Sequence, residues 1–459
     1  MMRAAAGQDG RRSRGPGYDE GWREMRWRRA ALVFVSALLP LSWPTGPASA
    51  ADASSSYFFA PDAQGVAGAT GTTGAKVLQP GKNYRSSLPS AAMRYYRLDL
   101  DDSSNAYVSV TAVPRTDARL SVADGIKVSV QNAESHICST DSATFGTSGS
   151  PHPITALGAR TIAPRTPVCA DGGTYYVVVE RVGTAVSAPG DWDLELTTTT
   201  EPGLMGSGVT SAPQSWNSAT PTPLSGTAEA RTGGAGFAVA APVGQGVWRT
   251  PVSPGRTLFY KVPVDWGQQL SATAELGAVG GDQRGYAIDA LDMTLYNPVR
   301  GEVEGTSRGY NGKQLSAPLA ALPPVDYGNR FAGLPKVNAM RFAGFYYLAV
   351  HVSTGIADTF GDGPFELTLR VRLAGGAQDG PAYSGQSVPR NVFHLTAQDR
   401  KIAAEIVTDT GDGTGTRTGT GDDGTAMKAL AAGGIGAGTV LLAVLGVWTV
   451  TARRRSRAV

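Results

Sequence analysis

The chain is poor in the residues on which many enzymes and metal centres depend. Its 459 residues include only two cysteines and four histidines, so metal centres rich in thiols or imidazoles are not expected. Long helices are also disfavoured, because 59 glycines and 29 prolines are spread along the chain. A chain of this length and composition is expected to be all-β, with two or three domains that each bury a core.

Positive charge is concentrated at the two ends of the chain. Eight of the 41 lysines and arginines lie in residues 1–50 and four more follow residue 452. The region between them keeps 29 of these bases against 34 aspartates and glutamates, so it is net negative. Binding to nucleic acid needs lysines and arginines clustered on one surface. We therefore expect no nucleic-acid partner.

Residues 1–50 contain the three parts of a secretory signal in the required order. Four arginines between positions 23 and 29 precede an apolar run over residues 30–41, and Ala48-Ser49-Ala50 forms a small-residue cleavage site. The apolar run is too short to span a bilayer. We predict cleavage after Ala50, with an uncleaved anchor as the alternative.

A second apolar run, Ala429 to Ala452, has no charged residue over 24 positions. As a helix it would rise about 36 Å, which is enough to cross a bilayer with some tilt. Four arginines follow it, and the positive-inside rule places this short tail in the cytoplasm. The sequence therefore predicts a single-pass cell-membrane protein with an extracellular ectodomain and a cytoplasmic C-terminus.

Two glycines in this apolar run, Gly434 and Gly438, stand four positions apart. This spacing lets two membrane helices approach closely and would support a homodimer. Small residues that occur by chance in a glycine-rich chain are the alternative, and the sequence leaves both open.

The two cysteines, Cys138 and Cys169, lie in the exported region, where an oxidising environment favours a disulfide. Such a bridge would stabilise the fold by about 3 to 4 kcal/mol. His136 lies close to Cys138, but two cysteines and one histidine without a second close pair make a poor zinc site. We expect no metal ion and no cofactor.

The first half of the exported region resembles the second half in five blocks that keep the same order. The matching pairs are residues 84–86 and 248–250, 95–101 and 259–265, 126–132 and 291–297, 175–179 and 346–350, and 191–196 and 362–367. Each block alternates apolar and polar residues with period two, as a strand with one buried face does. The sequence therefore predicts two tandem antiparallel β-sandwiches.

The strand blocks resemble bacterial pre-peptidase C-terminal domains. The motifs are YYRLDL, GIKVSVQN, TYYVVVE and GDWDLEL in the first copy, and LFYKVPV, LDMTLYNP, FYYLAVHV and GPFELTL in the second. The resemblance covers roughly residues 75–198 and 240–372. It implies jelly-roll-like sandwiches appended to secreted proteins, often enzymes, and it brings no catalytic residues with it. The long stretch from Arg300 to Arg341 and the absence of a protease domain depart from the family.

The complete expected architecture is all-β, with two tandem antiparallel jelly-roll-like β-sandwiches and one C-terminal transmembrane helix. Composition predicts a flexible linker between the sandwiches and a Thr-Gly-Asp stalk before the helix. The expected segments are a cytoplasmic N-region and signal peptide (1–50), an N-terminal extension (51–74), the first sandwich (75–200), the linker (201–226), the second sandwich (227–375), the stalk (376–428), the transmembrane helix (429–452) and the cytoplasmic tail (453–459).

Signatures of catalysis are weak. No HExxH or P-loop motif occurs, and no histidine stands beside a serine or cysteine in a nucleophile motif. Acidic turns could supply oxygen ligands for Ca²⁺, but no EF-hand or nonapeptide pattern accompanies them, and solvated turns are the preferred interpretation. We expect no enzymatic activity.

Three residues of the second copy, Tyr310, Tyr327 and Arg330, are the candidates for partner binding. They lie in the stretch Arg300 to Arg341, where the copies differ most, and tyrosine and arginine are favoured at recognition surfaces. An irregular edge that covers the core is the alternative.

The sequence as a whole favours a non-enzymatic cell-surface binding or scaffolding protein. Its expected partner is an envelope protein or a cell-wall glycan. An accessory subunit of a membrane-bound envelope enzyme or secretion complex is the alternative, and a divergent hydrolase is the third hypothesis.

Overall fold

The computed structural model describes residues 57–162, 167–183, 190–206, 208–219, 221, 224–280 and 284–404. The predicted signal peptide, transmembrane helix and cytoplasmic tail lie outside these residues, as do Gly434 and Gly438. In the described part of the chain, no helix is long and apolar enough to cross a membrane.

Ten strands of the first copy form two five-stranded sheets. One sheet has the order β1-β3-β10-β5-β8 and the other β2-β4-β9-β6-β7. Neighbouring strands pair antiparallel except for β1 with β3 and β2 with β4. The strands are β1 (Gln64–Gly65), β2 (Lys76–Val77), β3 (Asn83–Leu88), β4 (Met93–Leu100), β5 (Asn105–Val113), β6 (Gly125–Asn132), β7 (Ile137–Thr144), β8 (Ile154–Arg160), β9 (Gly173–Val182) and β10 (Trp192–Glu201).

The second copy repeats this plan strand for strand, which confirms the internal repeat. Its sheets have the orders β11-β13-β20-β15-β18 and β12-β14-β19-β16-β17. Successive long strands alternate between the two sheets, except that β6 and β7 of the first copy, and β16 and β17 of the second, are neighbours in one sheet. The strands are β11 (Glu229–Ala230), β12 (Ala241–Pro242), β13 (Gly246–Val252), β14 (Thr257–Val264), β15 (Gln269–Leu276), β16 (Ala287–Tyr296), β17 (Glu302–Tyr310), β18 (Leu315–Pro318), β19 (Gly344–Val352) and β20 (Phe365–Ala374).

Strand pairing corrects the match between the copies at their last strand. Leu196 pairs with Tyr84 in the first copy, and Leu369 pairs with Trp248 in the second. Because Tyr84 and Trp248 correspond, Leu196 corresponds to Leu369, two residues beyond the position that the sequence blocks indicate. The same side chains still face inward, since a shift of two residues keeps the face of a strand.

The sequence alternation predicts which side chains fill each core. In β15, for example, Leu270, Ala272, Ala274 and Leu276 are buried in the second sandwich while the residues between them are partly exposed. Burial of each large aliphatic side chain stabilises the fold by about 1.5–3 kcal/mol. In each copy, the inward-facing side chains of its two sheets therefore form one hydrophobic core.

Strand β5 differs from its counterpart β15, because all of its residues are buried. Its second face packs against the other copy. The ring of Tyr107 meets Phe342 edge-on with centroids 5.5 Å apart, and Val113 joins a cluster with Phe259 and Tyr296. The two sandwiches therefore meet through one sheet of each, and both fall within one compact unit.

Segments outside the sandwiches also belong to the folded body. Residues 376–404 of the predicted stalk bridge back to the first copy, where Val388 pairs with Thr200. Phe393 is buried, and Arg400 forms an ion pair with Asp265 at 2.6 Å. The stalk prediction is therefore wrong for residues 376–404. The helices are α1 (Pro335–Ala339), α2 (Gly355–Phe360) and α3 (Ala397–Ala404).

Candidate functional site

The predicted disulfide between Cys138 and Cys169 is confirmed. Their Cα atoms lie 5.8 Å apart, within the range that an unstrained bridge needs. The bridge ties β7 to the short turn that precedes β9, and Cys169 is packed in the first core. Its role is structural, since it closes one end of the first sandwich.

Tyr310, one of the three partner-binding candidates, lies in the core at the end of β17. Only 1% of its surface is exposed. Its hydroxyl donates a hydrogen bond to the carbonyl of Gly277 at 2.5 Å, and its ring packs edge-on against Phe360. This placement matches the alternative interpretation, in which the stretch covers the core.

The other two candidates, Tyr327 and Arg330, lie together in the 3-10 turn Tyr327–Phe331. The guanidinium of Arg330 stands 3.3 Å from the ring centroid of Tyr327. Its Nη2 atom donates to a carboxylate oxygen of Glu201 at 2.7 Å. The ring of Tyr327 packs edge-on against Tyr383 of the C-terminal segment. Partner binding by these residues stays a prediction.

Glu201, at the end of β10, is fully buried and surrounded by donors. Besides Arg330, it accepts hydrogen bonds from Asn105 Nδ2 at 2.7 Å, from the hydroxyl of Tyr107 at 2.8 Å and from that of Tyr383 at 3.1 Å. Burial, followed by the charge of Glu201, raises the pKa of Tyr107. The carboxylate therefore holds four donors from both copies and the C-terminal segment in one cluster.

Glu195 forms a second buried cluster on the same face of β10. Its carboxylate accepts from Arg300 Nη1 at 2.6 Å, from the backbone N–H of Ala60 at 2.7 Å and from the hydroxyl of Tyr57 at 3.1 Å. Arg300 lies in the turn between β16 and β17 with a φ of 62°, a conformation that non-glycine residues rarely adopt. This turn places the guanidinium of Arg300, from the second copy, beside the carboxylate of Glu195, from the first.

A cleft of about 540 Å³ opens beside this interface and contains groups from both copies. We call it the inter-sandwich cleft. A cleft that gathers titratable groups with displaced pKa values is a candidate functional site. The chemically relevant residues lining it are His152 from the first copy and Thr257, Asp292, Glu302, Glu304, Thr306, Ser307 and His351 from the second.

The two histidines of the cleft stack on each other across the interface. Their ring centroids are 4.5 Å apart and their planes differ by 26°. Burial lowers the pKa of both rings, and the proximity of His152 lowers that of His351 further. Both rings are therefore neutral near pH 7.

His351 is held by hydroxyl groups from both copies. Its Nε2 atom lies 2.9 Å from Ser150 Oγ, and its Nδ1 atom lies 3.0 Å from Thr257 Oγ1. Ser150 Oγ also accepts from the backbone N–H of Thr354 at 2.9 Å. One ring nitrogen of His351 is thus in contact with the first copy and the other with a neighbouring strand of its own copy.

The carboxyl group of Asp292 lies on the same face, as the strand neighbour of His351 on one side and of Ser307 on the other. Burial, with a smaller contribution from Asp289, raises the pKa of Asp292 to about 6, while the nearby Ser307 acts in the opposite direction. Burial also raises the pKa of Glu302. The cleft therefore holds two carboxyl groups whose protonated form is favoured by burial.

One pentapeptide has the spacing of a hydrolase nucleophile, contrary to the expectation that the chain contains no such motif. Residues Gly305-Thr306-Ser307-Arg308-Gly309 have the Gly-x-Ser-x-Gly spacing. In that motif the serine occupies a sharp turn between a strand and a helix, whereas here all five residues lie inside β17. The order of side chains across the sheet is Ser307, Asp292, His351, so the histidine does not stand between serine and carboxylate.

Metal binding finds no support in the same cleft. Among the residues that the structure describes, no group of three or more His, Cys, Asp or Glu side chains is placed to hold a metal ion. What the cleft offers is a set of hydrogen-bonding groups and two carboxyls whose pKa is raised by burial.

Comparison with known proteins does not assign a family. No protein-family model and no curated protein match the chain. Among solved structures, the N-terminal CBM22-1-CBM22-2 tandem domain of Paenibacillus barcinonensis Xyn10C is 7% identical, with a TM-score of 0.16, over 63% of this chain and 84% of that one. The tandem CBM51 modules of Sp3GH98 from Streptococcus pneumoniae are 8% identical, with a TM-score of 0.16, over 65% and 85%. Likeness at this level carries no argument about function.

Proposed function

We propose that this protein is a non-enzymatic binding or scaffolding ectodomain that is held at the cell membrane and presents its two sandwiches as one rigid body. The observation that carries the proposal is the pair of buried carboxylates, Glu195 and Glu201, each bound to an arginine of the other copy. A partly desolvated ion pair of this kind is costly to break, so it fixes one relative orientation of the two copies. A fixed orientation suits a scaffold.

The described groups of the inter-sandwich cleft argue for binding over catalysis. Ser150, which lies 2.9 Å from Nε2 of His351, is only 1% exposed, and Nδ1 of His351 faces the hydroxyl of Thr257 and not a carboxylate. Ser307 lies in an extended strand and has a carboxyl group, not an imidazole, as its neighbour. The hydrolase hypothesis therefore ranks below the binding hypothesis.

The membrane attachment in this proposal rests on the sequence. The signal over residues 1–50, the apolar run Ala429 to Ala452 and the arginines after it support an extracellular ectodomain with a cytoplasmic tail. An envelope protein or a cell-wall glycan is the proposed partner. An accessory subunit of a larger envelope complex remains the alternative, in which the membrane helix contributes to assembly.

Cross-linked pull-down of the full-length protein from intact cells tests the proposal. Wild-type protein is expected to recover a defined partner or cell-wall fragment. The variant Arg330→Ala, which releases the Glu201 cluster, should recover less, whereas Arg85→Ala, which breaks an exposed ion pair, should match wild type. Recovery of a stoichiometric multi-subunit enzyme would favour the accessory subunit, and turnover of ester or peptide substrates would overturn the non-enzymatic assignment.

A further inference from the structure

We propose that the stacked residues His152 and His351 form an acid-sensitive latch that releases the contact between the two sandwiches in mildly acidic surroundings. His152 belongs to the loop between β7 and β8 of the first copy, and His351 belongs to β19 of the second. The latch goes beyond the scaffold function, because it makes the rigidity of the body depend on its environment.

The stacking geometry is the first part of the argument. Neutral imidazole rings stacked with centroids 4.5 Å apart and planes that differ by 26° attract each other by dispersion. When both rings are protonated, two positive charges are held at the same short distance. His351 is only 2% exposed, so water screens that repulsion less than it does at an open surface.

The hydroxyl of Ser150 is the second part. Its Oγ atom lies 2.9 Å from Nε2 of His351, while Thr257 Oγ1 lies 3.0 Å from Nδ1. A neutral imidazole has one acceptor nitrogen, and that nitrogen becomes a second donor when the ring is protonated. The hydroxyl that donates to the neutral ring must then turn to accept instead, which disturbs the contacts around His351.

Neighbouring carboxyls are poor counter-charges for a protonated histidine pair. Burial favours the protonated, neutral form of Asp292 and Glu302. The titratable and charged groups around the pair and these carboxyls are Asp289 and Asp292 from β16, Glu302 and Glu304 from β17, Asp141 from β7, and Arg256 just before β14.

The direction of the pH effect follows from linkage. In the closed interface the pKa of both histidines is lowered, so the closed form binds fewer protons than the open form below about pH 6.5. The latch is therefore fully closed above that pH and weakens as the pH falls. Asp292 acts with the opposite sign, because its raised pKa stabilises the closed form as the pH falls through about 6.

Hydroxyl-radical footprinting of the full-length protein in detergent tests the latch at about pH 7.5 and about pH 5. Phe259 and Tyr296, which are 1% and 5% exposed at the interface, should be oxidised faster at the lower pH. For each histidine, the ratio of open to closed protein can rise by up to about tenfold for every pH unit below the ordinary pKa of the ring. Tyr346 in the core of the second sandwich should not change, and so reports that each sandwich stays folded.

Four variants separate the latch from other titrations. His152→Phe keeps a stacked ring and His351→Gln keeps a hydrogen-bonding group, and both should flatten the pH response. His136→Gln and His394→Gln, at exposed positions, should respond as wild type does. If Tyr346 is oxidised faster in His351→Gln than in wild type at neutral pH, that variant has lost its folded core. His152→Phe alone then tests the latch. Unchanged oxidation of Phe259 at about pH 5 would refute the latch.

The carboxyl group of Asp292 provides the final control. In Asp292→Asn the acid response should persist and be larger between about pH 7.5 and about pH 5, because the opposing carboxyl is gone. A response that disappears in Asp292→Asn but survives in His152→Phe would make the carboxyl the sensor and overturn the proposal.

Discussion

Glu201 and Arg330 bind each other across the two copies of the repeat, with 2.7 Å between Oε1 and Nη2 and no exposed surface on the Glu201 side chain. A carboxylate buried to this extent is stable only when a counter-charge and hydrogen-bond donors surround it. Asn105, Tyr107 and Tyr383 supply the remaining donors. The pair is therefore the junction of the first copy, the second copy and the segment after β20.

Removing the cation of this junction should be costly. Arg330→Ala is expected to lower the free energy of unfolding by about 3–5 kcal/mol, because Glu201 would remain buried without its counter-charge. In the matched control Arg85→Ala the lost ion pair with Asp193 is exposed, so the expected loss is below about 1 kcal/mol. Urea titration measures both, and equal losses would contradict the structural role of the buried pair.

The disulfide should contribute stability through the unfolded chain. Replacing Cys138 and Cys169 together by alanine is expected to lower the free energy of unfolding by about 3 to 4 kcal/mol, given the 31-residue separation. Denaturant titration under non-reducing conditions measures the difference. Labelling of a free thiol in the native wild-type protein would contradict the bridge.

Tyr310 should behave as a core residue and not as a recognition residue. Tyr310→Phe loses the hydrogen bond to Gly277 and should lower the free energy of unfolding by about 1 kcal/mol. Tyr310→Ala leaves a cavity beside Phe360 and should cost about 3–5 kcal/mol. Thermal melts follow both variants, and loss of partner capture at an unchanged melting temperature would instead support the recognition hypothesis.

Asp292 should make the protein less stable at neutral than at acidic pH. Its pKa is raised from the ordinary value to about 6, so the folded state holds a proton that the unfolded state releases between about pH 4 and 6. Asp292→Asn removes this penalty and should be more stable than wild type by on the order of 2 kcal/mol at pH 7, with no difference near pH 4. If the free energies of unfolding of the two proteins changed equally with pH, the raised pKa of Asp292 would be refuted.

Membrane topology gives the last prediction. Protease added to intact cells should remove residues 51 to about 425 and spare the C-terminal tail, because the sequence places only that tail in the cytoplasm. Immunoblotting with an epitope after the final arginines detects the protected fragment. An ectodomain that resists digestion until the cells are lysed would reverse the orientation.

The sequence by itself determined the strands and their repetition. Period-two alternation marks one face of each strand as apolar, and five matching blocks show that the same set of strands occurs twice. Two cysteines also leave only one disulfide that can form within the chain. These features are local or depend on residue type alone, so they can be read without knowing which strands meet.

Tertiary structure decided what covers the polar face of each strand. Glu195 and Glu201 look like solvent-facing residues of β10, yet Arg300 and Arg330 bury them from more than a hundred positions away. Ser307 has the spacing of a nucleophile, and only its position inside β17 removes that role. Alternation along one strand specifies which side chains share a face. It does not specify what packs against that face, because this depends on how the two sandwiches pack together.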